Sequence, residues 1–131
     1  MLKKVHLPPN FYQSMEKKVT EITAENAETT ALIVRDFELT TPEKPMTEAE
    51  LLNYLADVVA YMIENRLDYL LSLLYRLDVA EDKINRALMP GNAEDANVAL
   101  ARLVIDRQKR RIATKRAYRE QNPSNWNWDL E

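Results

Sequence analysis

Cysteine is missing from this 131-residue chain, and glycine and histidine each occur once. Without cysteine there are no disulfides, no thiolate metal sites and no cysteine nucleophile. Glycine supplies the positive-φ positions that tight hairpins and phosphate-cradling loops require. A single glycine, Gly91, following Pro90, argues against a hairpin-rich β fold, a P-loop or a dinucleotide-binding fingerprint. His6 stands alone in a proline-flanked lead, so neither a two-histidine metal site nor a His–carboxylate base can be built within one chain. Glu21 and Glu25 would share a helical face, but a carboxylate metal bundle also needs Glu-x-x-His motifs, and there are none. Ser14, Ser72 and Ser124 have no base near them in sequence. Neither a cofactor nor enzymatic activity is expected.

Long apolar runs are lacking too. Asp57, Glu64 and Asp68 break the most hydrophobic stretches, so no membrane span is expected. Met1 to Lys4 carries the charge of a signal peptide's first segment, but His6, Pro8 and Pro9 occupy the place of its apolar core. No signal peptide is therefore expected, and a cytoplasmic location is.

The residues that are present describe a globular chain. An apolar fraction of 46% with 30% charge is enough to build a core and too apolar for disorder. Most of the pattern is helical. Asn10 and Gln13 form a capping-box pattern ahead of Phe11, Tyr12, Met15, Val19 and Ile22, which recur at three- and four-residue steps. This predicts a helix over 10–27. The spacing continues through Asn26, Thr29 and Ile33 with polar residues, where Asn26 could set a heptad register, although one modest helix is the simpler reading. Residues 28–40, with the apolar run 31–39 inside them, fit either a helix or an extended arm, and Pro42 and Pro45 mark a linker.

Thr47 and Glu50 form a second capping box, and Leu51, Leu52, Leu55, Val58, Val59, Met62 and Ile63 follow at helical spacing. Asn65 and Arg66 mark a corner. A leucine-rich helix from Leu67 to Leu77, a short one from Glu81 to Met89 and a turn at Pro90-Gly91-Asn92 come next. The last helix is capped near Asp95 and runs to about Glu120. The fold class is thus all-α, a small bundle of four to five helices with a long C-terminal helix. Its parts are an N-terminal lead, helix and arm over 1–45, a bundle body over 46–120 and a tail over 121–131.

Two helices carry more apolar surface than one stripe can bury. Tyr54 and Tyr61 widen the stripe of the first leucine-rich helix, and Tyr69, Leu73 and Tyr75 widen that of the next. Either these helices are central to the bundle, or the surplus forms a homodimer interface. The five residues Tyr54, Tyr61, Tyr69, Leu73 and Tyr75 are the candidates for self-association.

Charge is strongly segregated. Residues 102–119 hold eight basic groups and one acid, while residues 1–101 hold ten basic and seventeen acidic groups, within a net charge of −3. Arg107, Arg111, Lys115 and Arg119 fall at four-residue steps on the face that is apolar up to Ile105. The simplest geometry is a helix that packs along its first half and then leaves the body, projecting roughly 20 Å. Its cations would be solvated or drawn to the acidic body, would meet an acidic protein partner, or would contact nucleic acid. A pI of about 5.3 makes nucleic acid the weakest of these. Candidate partner-binding residues are Arg107, Lys109, Arg110, Arg111, Lys115, Arg116 and Arg119. Trp126 and Trp128 join them, as an interaction anchor in the tail. The expected function is non-enzymatic protein–protein interaction or a structural role with self-association; the alternative is a nucleic-acid-associated accessory protein.

Overall fold

In the computed structural model the described residues are 26–121, and the predicted helix 10–27 lies outside them except for its last two positions. Every regular element among the described residues is helical. The described part of α1 covers 26–36. It is followed by α2 (Glu48–Asn65), α3 (Leu67–Arg76), α4 (Glu81–Leu88) and α5 (Ala96–Gln121).

The helix boundaries follow from local chemistry. The capping box at the start of α2 is formed: Thr47 Oγ1 accepts from Glu50 N–H, and Glu50 Oε1 accepts from Thr47 N–H. Arg66, with φ −146° and ψ 46°, breaks the helical path between α2 and α3 at the expected corner. Helices α1 and α3 both end in Schellman motifs, although neither has a glycine to do it with. At the end of α3, Asp78 takes φ 63° while Val79 N–H donates to Leu74 O and Asp78 N–H to Tyr75 O. At the end of α1, Glu38 takes φ 54°, Leu39 N–H donates to Val34 O and Glu38 N–H to Arg35 O. Side chains other than glycine's pay roughly 1–2 kcal/mol for that conformation. The one glycine, Gly91, has φ 89° in the turn after α4. There the Asn92 amide donates to the carbonyls of Arg86 and Met89, which closes the C-terminal end of α4.

The segment 28–40, ambiguous between helix and arm, is therefore helical as far as 36 and turns through Glu38. Its polar seam faces inward: Asn26, Thr29, Ile33 and Phe37 are all buried. Polarity along that row is the reason its periodicity reads as a helix running out, when the same row is the interface.

The long α5 is the spine of the molecule. At 1.5 Å per residue it is about 39 Å long. α2 runs antiparallel along its first half: the Asn97 amide donates to Ala56 O at 3.1 Å, and Lys109 meets Glu48. α1 runs antiparallel along its second half, with Gln108 against Asp36 and Arg116 against Glu28. α1 and α2 thus follow one another along α5, and α4 packs against it as well. One continuous core results, containing Ile33 and Phe37 of α1, Leu51, Leu55 and Val59 of α2, Leu70 and Leu74 of α3, Ile84 of α4, and Leu100, Val104 and Ile105 of α5. Among the described residues the core thus includes Ile33 and Phe37, upstream of residue 46. Fully burying such side chains contributes about 1.5–3 kcal/mol each, offset by the entropy of ordering the chain. No helix among the described residues is long and apolar enough to cross a membrane.

Candidate functional site

The expectation that α5 leaves the body after Ile105 is corrected by its neighbours. Gln108 is 1% exposed and Ile112 6% exposed. They sit four and eight residues beyond Val104, so they continue its buried row rather than starting a wet face. The expectation failed because Gln108 is polar and the row it belongs to is otherwise masked by cations. Its amide nitrogen donates to Asp36 Oδ2 at 2.7 Å, so a polar pair closes the joint between α1 and α5. Gln108 Oε1 is buried with no partner among the described residues.

The cations of α5 radiate in several directions, and acids from α1, from α2 and from the turns after α3 and before α5 meet four of them. Arg102 holds Glu94 through two guanidinium nitrogens, the shorter bond being 2.6 Å, and that carboxylate raises the Arg102 pKa above its ordinary value. Arg107 donates to Leu77 O at 3.2 Å, satisfying a carbonyl at the end of α3, and reaches Asp78 at 3.4 Å. Lys109 pairs with Glu48 in the first turn of α2. Arg116 pairs with Glu28 of α1 at 2.8 Å. The positive segment is thus bound along the acidic body of its own chain. Each of these pairs is partly exposed, so water screens its attraction and keeps its individual contribution small.

The nine candidate partner-binding residues therefore fare differently. Arg107, Lys109 and Arg116 are engaged internally. Lys115 and Arg119 line a cavity with Glu28, Leu32 and Ile112. Arg110 is exposed and Arg111 half-buried, and neither forms an ion pair among the described residues. Trp126 and Trp128 lie outside the described residues.

The self-association candidates also divide. Leu73 is a core residue, on the inward arc of α3 with Leu70 and Leu74, and is unavailable to a partner. Tyr69 is half-buried with the Arg66 guanidinium 4.2 Å above its ring. Tyr54 is half-buried and donates its hydroxyl to Thr40 O at 3.3 Å, tying the linker to α2. Tyr61 and Tyr75 remain, 62% and 50% exposed. Leu67, 40% exposed, was not among the candidates. It lies with Leu71 and Tyr75 at four-residue steps, which forms an apolar edge on α3 beside its buried arc. That spacing was visible in the sequence, but five leucines in one helix do not reveal which three turn inward.

Among the described residues no cluster of three or more His, Cys, Asp or Glu side chains is placed to hold a metal ion. Cavities line the flanks of α5. One of about 460 Å³ lies between α4, the 92–94 turn and α5; one of about 370 Å³ continues along the same side. No protein-family model, no curated protein and no solved structure matches this chain.

Proposed function

We propose that this is a cytoplasmic, non-enzymatic protein–protein interaction or structural protein that forms a homodimer through the apolar edge of α3. The observation that carries the reading is the stripe of Leu67, Leu71 and Tyr75. Its neighbours Leu70, Leu73 and Leu74 are already used by the monomer's own core, while Leu67 and Tyr75 remain exposed. Two such edges placed face to face would cover one another under two-fold symmetry. The alternative, a nucleic-acid-associated role, has less support, because Arg107, Lys109 and Arg116 are directed at acids of the same chain.

Light scattering over micromolar to millimolar concentration tests the dimer. Self-association gives a mass rising to about twice the 15.3 kDa of one chain, and Leu67→Glu with Tyr75→Glu returns it to the monomer. A mass that stays at one chain throughout overturns the reading.

A further inference from the structure

The two cavities on the α4 side of α5 form one cleft, since Lys83, Leu103 and Asp106 line both. Its floor is apolar: Ala87 is buried, and Ala99 and Leu103 are half-buried. From Ala99 to Arg110 it follows α5 for roughly 16 Å, about three helical turns. Lys83 and Arg86 rise from α4 on one side, and Arg102, Lys109 and Arg110 from α5 on the other.

Those five cations face two lining acids, Glu94 and Asp106. Glu94 is already held by Arg102. Arg86 is paired with Asp82 and Lys109 with Glu48, in both cases toward acids outside the cleft lining. Lys83 and Arg110 are exposed and form no ion pair among the described residues. The cleft therefore joins an apolar floor to unpaired cations on both walls, Lys83 and Arg110 exceeding the one unpaired lining acid, Asp106.

We infer that this cleft docks an acidic amphipathic helix of a partner protein, with its apolar face on Ala87, Ala99 and Leu103 and its carboxylates on Lys83 and Arg110. Helix-in-groove recognition needs an apolar strip, which Ala87, Ala99 and Leu103 supply, with Val79 and Ala80 lining the cleft farther along. Charge complementarity selects the sign of the ligand and its orientation. A phosphate backbone matches the walls but has nothing to place on the floor. The inference does not depend on the dimer, because none of the residues it uses lies on α3.

Selection of random peptides displayed on phage against the full chain, followed by anisotropy titration of the enriched peptides, tests it. The expected sequences carry apolar residues at three- and four-residue spacing flanked by Asp and Glu. Lys83→Glu with Arg110→Glu should weaken them by about tenfold or more, while the distant pair Lys44→Glu with Arg76→Glu leaves them nearly unchanged. Circular dichroism checks that each variant is folded; if the cleft pair melts, Lys83→Gln and Arg110→Gln singly replace it, each with a smaller loss in the same direction. Three results overturn the inference: no acidic amphipathic enrichment, equal loss in the cleft and distant variants, or equal competition by single-stranded DNA of matched charge.

Discussion

From Ala96 to Ile105, α5 is held mainly by hydrocarbon, with the Asn97 amide and the Arg102–Glu94 pair at its margins; from Asp106 onward it is held by an amide–carboxylate pair and ion pairs around one buried isoleucine. In the first half Leu100, Ala101, Val104 and Ile105 are at most 2% exposed and belong to the main core. In the second half the buried row is Gln108 and Ile112, and Lys109 and Arg116 reach Glu48 and Glu28 from its flanks. The two halves are one continuous helix, so neither backbone geometry nor propensity separates them. The difference lies in what covers them. α2 brings leucines to the first half, while α1 brings Asp36 and Glu28 to the second. A nonpolar joint is insensitive to salt and intolerant of cavities; a polar joint responds to charge and salt.

The sharpest way to break the comparison is to open a cavity in the first half. Leu100 is completely buried. Leu100→Ala should destabilise the protein by about 2–5 kcal/mol, read from urea denaturation. The loss should be the same at low and high salt, since no charge is involved. A loss below about 1 kcal/mol would show that the site collapses around the smaller side chain and that the first half is less tightly packed than its burial implies.

Most of the fold was legible because helices are written in spacing. The Thr47–Glu50 box, the Arg66 corner and the Pro90–Asn92 turn all stand where local chemistry puts them. The helix–arm ambiguity over 28–40 resolves through tertiary contact: Asn26 and Thr29 are polar residues on an inward face, and the strands that would have made the segment an arm do not exist among the described residues. The second half of α5 was misread for a related reason. Cations at four-residue steps look like a solvated face, but long stems let Lys109 and Arg107 lie half-buried against the body while their charged ends reach acids. Which of the tyrosines and leucines of α2 and α3 stay outside was likewise beyond the sequence. A stripe wider than one face shows that surplus exists, but only packing shows that Leu73 is inside and Leu67 outside.

The middle of the expected scale tests the polar joint itself. Asp36, whose side chain is 13% exposed, accepts from the Gln108 amide, and no other described residue does. Asp36→Ala leaves both polar atoms of a buried amide without partners, so it should cost about 1–3 kcal/mol. Adding Gln108→Leu to that variant should recover most of the loss, because no orphaned polar group then remains. A double-mutant cycle measures the coupling. Equal additive losses would mean that the pair is two independent surface contacts, contrary to its burial.

The smallest expected effect concerns the flanking charges. Lys109 is 28% exposed at the side chain and Glu48 54%, so water screens their attraction considerably. Lys109→Ala should therefore cost about 1 kcal/mol or less at low ionic strength. The same substitution in high salt should cost still less, because the Debye length falls to about 3 Å near 1 M and removes the Coulombic part. What persists in salt is the lost packing of the lysine stem on the body. Comparing the salt dependence of Lys109→Ala with that of Leu100→Ala separates the two halves of α5 by mechanism. If both losses are flat in salt, the second half is held by hydrocarbon stems, and the acids of the body only mark where its cations come to rest.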